Sequence, residues 1–354
     1  MTTPLDFRSD TVTTPTPAMY DAMRSAPLGD DVLGHDPTVQ RLEDETAALL
    51  GKPAALFFPS GTMANQAAVR AHTHEGGEIL LGLKSHIFNF EVGGVGLHAR
   101  VQTNTVTERE GYLHWEDLEP RIRQETAHSP ATQLICLENT HNLLGGRLFP
   151  IEEMRKIADG AARYGLSVHL DGARLFNAAI ASGIPAKEYA ACATTVMTCL
   201  SKGLCSPVGS MLAGPEELIV RARRIRKAFG GGLRQAGILA ACGLVSIHEM
   251  IDRLAEDHAN ARRLVAGLNA SGLVVPLDLA TVQTNILVAE LAPGIADPAT
   301  VPDFLAERGL LVTSFPPRSI RLCTHKDVDA TSVEAAIDIL TNAAVSLGVT
   351  PVSV

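Results

Sequence analysis

From residue 36 to about residue 245, short apolar runs alternate with segments of helical period, and this alternation limits the fold more than any single motif. It is the pattern of an α/β protein, a mainly parallel sheet covered by helices on both faces. The strand-like runs are Ala54 to Phe58, Ile79 to Leu81, Leu97 to Val101, Gln133 to Leu137, Leu166 to Leu170, Thr195 to Leu200 and Val208 to Ala213. Seven such runs suit one large domain. The first long helix carries its own punctuation: Asp36 can cap it, Pro37 fits its first position, and Gly51 supplies the left-handed residue that stops it.

Beyond this region the pattern changes. A long helical stretch from about Gln235 to Ala270 leads to strands near Ile286 to Ala289 and Ser319 to Cys323, with helices near Pro298 to Arg308 and Thr331 to Leu347. A small C-terminal α+β domain is expected, with 1–248 forming the N-terminal segment and large domain, and 249–354 the small one. The 354-residue length accommodates both.

Charge and cysteine usage narrow the class. A net charge of −9 with scattered basic residues argues against a nucleic-acid surface. The densest cationic stretch, Arg221 to Lys227, reads either as a solvated helix face or as an anion-facing segment. The six cysteines show no CxxC spacing and lie mostly in apolar runs, as reduced core residues of a cytosolic protein do. Met1 to Phe7 has neither a basic start nor an apolar run, so no secretory signal is expected. The most apolar stretch, Gly237 to Ile247, is about half of a ~20-residue membrane span. A cytoplasmic protein without a membrane partner is expected.

Chemistry gathers where strands end. Thr195 to Leu200 delivers Ser201-Lys202-Gly203, and Leu166 to Leu170 delivers Asp171-Gly172-Ala173-Arg174. A lysine for an imine, a carboxylate for a pyridinium nitrogen and a cation for a substrate carboxylate are the set that pyridoxal phosphate chemistry needs. Ser60-Gly61-Thr62, between a strand and a helix start, reads as a phosphate seat. No GxGxxG or GxxxxGK[ST] motif competes with it. His86 follows the Ile79 to Leu81 strand and can stack on a cofactor ring. His141 follows Gln133 to Leu137 and can take a proton from a substrate hydroxyl. No HExxH or clustered His/Cys spacing indicates a metal. His72 and His74 are expected to be surface residues.

Several segments together resemble the L-threonine aldolases of the aromatic β-eliminating lyase group. They are Phe7 to Thr13, Gly29 to Val32, Ser60 to Asn65, Glu138 to Asn142, His169 to Arg174, Leu200 to Gly203 and Gly230 to Gln235. The resemblance spans nearly the whole chain and implies an aspartate-aminotransferase-like fold (fold type I) with pyridoxal 5′-phosphate on Lys202. It implies that Asp171 keeps the pyridine nitrogen protonated, that His86 stacks on the ring, and that Ser60, Gly61 and Thr62 seat the phosphate. Ser9, Arg174 and Arg321 would hold the amino acid's carboxylate, with His86 and His141 beside the substrate. Lys227 and Arg234 would reach toward a neighbouring subunit's cofactor, and a homotetramer of paired dimers is the implied assembly. Leu33, Phe88 and Cys205 depart from the tyrosines and glycine frequent in relatives, which bears on the aldehyde side of the substrate.

The implied reaction is retro-aldol cleavage of L-threonine and L-allo-threonine, and of larger β-hydroxy-α-amino acids such as phenylserine, to glycine and an aldehyde. His141 or His86, directly or through a water, would remove the hydroxyl proton. The alternatives are another pyridoxal phosphate reaction on the same scaffold (transaldolase, β-elimination, racemisation or transamination) and a cofactor-binding protein without turnover.

Overall fold

Strands β1 (Ala54–Phe58), β2 (Glu78–Gly82), β3 (Gln102–Val106), β4 (Thr132–Glu138), β5 (Ser167–Asp171), β6 (Thr195–Cys199) and β7 (Ser210–Gly214) form one sheet in a computed structural model that describes residues 4–315 and 317–349. Their order is β1-β7-β6-β5-β4-β2-β3, and only β7 runs against its neighbours. Both faces are covered, as successive residues of single strands show: Leu134 and Ile135 on β4, and Ile79 and Leu80 on β2, are all inaccessible to solvent. On one face Leu56, Phe58, Met197 and Leu212 pack with Ala64, Ala67 and Ala68 of the helix Gly61–His72 and with Ile219 and Ala222 of the helix Glu216–Ala228.

The helix Pro37–Leu50 matches its sequence reading. Asp36 accepts from the amides of Thr38 and Val39, and Gly51 takes φ 62°. One strand was misplaced. Leu97 lies in the π-helical turn Val95–Ala99, which Arg100 ends at φ 58°, and the strand is the more polar Gln102–Val106. Of that run Ala99 and Val101 are buried, packing with Val95, Val69, Ile79 and Leu81, while Leu97 is 69% exposed. A short apolar run is thus no proof of a strand, since a turn of helix can bury part of it. The helical stretch after Gln235 is also divided, into Gly237–Val245, a π-turn Ser246–Met250 and Leu254–Ser271.

Backbone packing divides the chain into two units. The larger holds Pro15–His141 and Leu148–Ile251; the smaller holds the segment up to Thr14, Asn142–Arg147 and the chain from Asp252 onward. In the smaller unit Ile286–Glu290, Ser319–Cys323 and Thr313–Phe315 form an antiparallel sheet. The helices Leu254–Ser271 and Ala330–Ser346 close its core around Leu264, Leu268, Ile320 and Leu340. Leu5–Asp6 pairs in parallel with Leu310–Leu311 there. Met1 to Thr3, part of the segment read for a targeting signal, lie outside the described residues. Among the described residues no helix is long and apolar enough to cross a membrane.

Candidate active site

Because six strands share a direction, their carboxyl ends share one edge of the sheet, where ligands of open α/β sheets bind. β1 delivers Ser60 to Thr62 there, β2 His86, β3 Glu108, β4 Glu138 and His141, β5 Asp171 to Arg174, and β6 Lys202. The antiparallel β7 starts at the same edge with buried Ser210, opposite Cys199 and Phe58.

Asp171 is nearly inaccessible and held from two sides: the Ala173 amide donates to Oδ1 at 3.1 Å and the Asn65 side-chain amide to Oδ2 at 2.8 Å. The same Asn65 nitrogen donates to Glu91 Oε1 at 2.8 Å, and that oxygen lies 3.0 Å from Nδ1 of His86. Burial works against the His86 imidazolium, but the hydrogen bond it donates to Glu91 and the charges of Asp171 and Glu91 outweigh it and raise the group's pKa. The His86 amide donates to Glu138 at 2.7 Å.

His141 is 4% exposed, with Nε2 at 3.3 Å from Glu108 Oε1 and Nδ1 at 3.9 Å from Glu138 Oε1. Burial again disfavours the charged ring, yet Glu138 first and then Glu108 lift its pKa above the ordinary histidine value. His141 lines a small cavity of about 10 Å³ together with Ser85, Tyr112 and Phe149, about the space of one water, and its buried Nδ1 has no hydrogen-bond partner among the described residues.

Lys202 is half-buried on a loop that is closed by Cys205 N–H donating to Lys202 C=O (2.8 Å) and Ser206 N–H to Leu200 C=O (3.0 Å). Ser246 donates to the Leu204 carbonyl at 2.7 Å and meets the Ser206 hydroxyl at 2.7 Å, so the lysine's backbone is tied to the π-turn behind it. Cys205 adopts φ 66°, in the left-handed region that favours glycine.

Ser60 caps the helix Gly61–His72 by accepting from Met63 N–H, and the Gly61 and Thr62 amides have no protein acceptor among the described residues. A Cβ on Gly61 would lie 2.9 Å from Cys199 Sγ, so only glycine lets the turn sit this close to β6. Arg174 is buried one residue before the helix Leu175–Ser182. Lys227 and Arg234 are exposed, the latter paired with Asp30 at 3.0 Å. Ser9 and Arg321 belong to the smaller unit, Ser9 at a 3₁₀ turn and Arg321 on the strand Ser319–Cys323. Asn65, Glu91, Glu108 and His169 were not singled out in the sequence, although a polar residue inside an apolar run is the signal of a buried partner.

A model of the family described as beta-eliminating lyase matches residues 6–292. The chain belongs to that family. The chain is 42% identical over 335 residues to low-specificity L-threonine aldolase 1 of Arabidopsis thaliana, covering 93% of each chain. It is 40% identical over 325 residues to the low specificity L-threonine aldolase of Escherichia coli (strain K12), covering 92% of this chain and 94% of that one. Among solved structures, the threonine aldolase of Leishmania major aligns with TM-score 0.81 at 20% identity over 96% of this chain and 99% of that one. The serine palmitoyltransferase of Sphingomonas wittichii aligns with TM-score 0.78 at 21% identity over 98% and 88%. These two likenesses establish the fold, the aspartate-aminotransferase-like fold type I with its mainly parallel sheet.

The cofactor of this lyase is pyridoxal 5′-phosphate, and the residues fit it. A helix N-terminus with two unused amides suits a dianionic phosphate. Asp171, fixed by two donors from its own chain, suits a pyridinium nitrogen, and a half-buried lysine stands at the end of the next strand.

Proposed function

We propose that this protein cleaves L-threonine and L-allo-threonine, and larger β-hydroxy-α-amino acids such as phenylserine, to glycine and an aldehyde. The observation that carries the reading is the delivery of Lys202, Asp171, His86 and His141 by four strands to one edge of the sheet, in a chain 40–42% identical to proteins named low-specificity L-threonine aldolases. The chemistry that bound cofactor supplies is a carbonyl for amine exchange and an electron sink for the breaking Cα–Cβ bond.

The chain's own residues do the rest. Lys202 provides the amine that substrate displaces, and Asp171 holds a proton on the pyridine nitrogen. Gly61 and Thr62 amides, with the Ser60 hydroxyl, seat the phosphate. Arg174 grips the substrate carboxylate, and this orientation selects which bond at Cα breaks. His86, its edge tied to Glu91, presents a ring face for stacking.

His141 takes the β-hydroxyl proton. Its Nε2–H is committed to Glu108, so Nδ1 is the basic atom, and the proton reaches it through a water in the adjoining cavity. Glu108 and Glu138 stabilise the imidazolium that forms, as an orienting carboxylate does in a catalytic triad. Cα then takes up a proton and glycine leaves. Leu33 is 65% exposed and brings no aromatic wall to the aldehyde side, which supports tolerance of a bulky β-substituent.

The assembly we propose is a homotetramer of paired dimers, in which exposed Lys227 and Arg234 serve a neighbour's site. Six buried free thiols support a reducing, cytoplasmic setting. The test is a visible absorption scan of the purified protein with pyridoxal phosphate, followed by L-threonine, L-allo-threonine and phenylserine with aldehyde release recorded. Cofactor uptake with aldehyde released is expected, and borohydride reduction should label Lys202. Uptake without aldehyde would overturn the aldolase reading in favour of another pyridoxal phosphate reaction.

A further inference from the structure

The donors behind Asp171 form a chain whose direction can be read from chemistry alone. Carboxylates accept, so the Asn65 atom 2.8 Å from both Asp171 and Glu91 is the amide nitrogen. Its oxygen, 3.1 Å from Nε2 of His169, must accept, and Nε2 therefore carries the hydrogen. His169 is wholly buried, its pKa pushed down to about 4 by burial against the pull of Asp171, and the ring is neutral. Nδ1 is then bare and accepts from the Thr195 hydroxyl at 2.9 Å. The single hydroxyl hydrogen of Thr195 is spent on that bond. Its oxygen must accept from Nε2 of His72 at 2.8 Å, and His72, lowered to about 3 by burial first and then by His169 and Arg221, is neutral as well.

Every hydrogen in the chain thus points the same way, from His72 at the end of the helix Gly61–His72 to two carboxylates at the catalytic edge. The geometry follows from the sheet. His169 and Asp171 are two apart on β5 and share a face, Thr195 is the Cα partner of His169 on β6, and Asn65 and His72 lie on the one helix. Reversing any link would leave a buried lone pair against a lone pair or a hydrogen against a hydrogen. His72, half-buried and bonded to Thr195, is not the surface residue its sequence position suggested.

We propose that His72, Thr195, His169 and Asn65 are positioning residues: an oriented hydrogen-bond chain that locks the Asp171 and Glu91 carboxylates as acceptors facing the cofactor's pyridine nitrogen and His86. This rests on the reading of Asp171 above and assigns the residues that aim it. Replacing Thr195 by Val removes the hydroxyl while keeping the branched shape, so buried Nδ1 of His169 loses its donor, Nε2–H of His72 loses its acceptor, and the support behind Asn65 and Asp171 is weakened.

The experiment compares the parent, Thr195→Val and Thr195→Ser. It reads pyridoxal phosphate affinity by absorbance titration of the apoprotein, the pH at which the visible band of the loaded protein changes, and kcat and KM for L-threonine. T195V should bind cofactor about tenfold more weakly, shift the pH of the band change, and lose kcat with KM within about twofold. T195S should restore all three. If T195V does not accumulate folded, His72→Leu at the half-buried outer end answers the same question with an effect in the same direction. A parent that takes up cofactor beside a T195V (or H72L) indistinguishable from it would overturn this inference alone. A parent that takes up none would overturn the proposed function with it.

Discussion

Nε2 of His141 lies 3.3 Å from Oε1 of Glu108, joining the loops that leave two strands separated in the sheet by β2. The same Glu108 oxygen accepts the Lys84 amide at 2.8 Å, so the carboxylate is aimed by the backbone before it meets the ring.

A base must be neutral to act, and Glu138 and Glu108 keep His141 charged to a higher pH than an ordinary histidine. kcat for L-threonine should rise with pH through an inflection above the usual histidine value. In Glu108→Gln that inflection should move to lower pH. His141→Asn should cost about 10²–10⁴ in kcat and remove the inflection. A pH–rate profile of the three proteins checks this.

The same pair makes a stability prediction. The folded-state pKa of His141 is raised, so the stabilisation is fully present below the unfolded histidine pKa and is lost as pH rises through the folded value. Glu108→Gln should therefore be more destabilising at pH 6 than at pH 9. Denaturant melts at the two pH values measure the difference.

Gly61→Ala places a methyl 2.9 Å from Cys199 Sγ in a packed corner. We expect a loss of about 1–3 kcal/mol in stability, typical of overpacking, and weaker cofactor uptake. Adding Cys199→Ala should recover part of both, because the methyl then enters the space the sulfur left.

Arg226 and Asp31 form a buried pair, 2.7 Å apart and 3% and 4% exposed, and Arg226 also donates to the Phe57 carbonyl at 2.6 Å on the strand that leads to Ser60. Asp31→Ala should cost about 3–5 kcal/mol, since it strands a buried guanidinium. The Arg226→Met/Asp31→Leu double variant should cost less than D31A. Chemical denaturation of both separates the broken pair from the missing one.

Arg234, exposed in its own chain, should act on a neighbour. Two inactive proteins, Lys202→Ala and Arg234→Ala, should regain aldehyde release when unfolded and refolded together, because a hybrid dimer carries one intact site. Mixing that restores nothing would place the role of Arg234 within its own subunit.

Local pattern was enough to read the strands that carry Lys202, Asp171 and Ser60, and the helix from Pro37 to Leu50, since periodicity and caps act over a few residues. The lysine and the aspartate were legible because each follows directly on an apolar strand. The polar edge strand Gln102–Val106 was not, having no apolar period, and the more apolar run before it was mistaken for the strand. Nor was Arg226 legible as a buried residue inside a cationic helix. The partners of the site were hidden for a different reason. Asn65 meets Asp171 across 106 residues of sequence, His72 meets Thr195 across 123, and Glu108 meets His141 across 33. Such contacts depend on strand order and on which helix crosses which strand. Those are set by pairing and burial over the whole sheet, so tertiary structure alone decided which polar groups stand behind Asp171, His86 and His141.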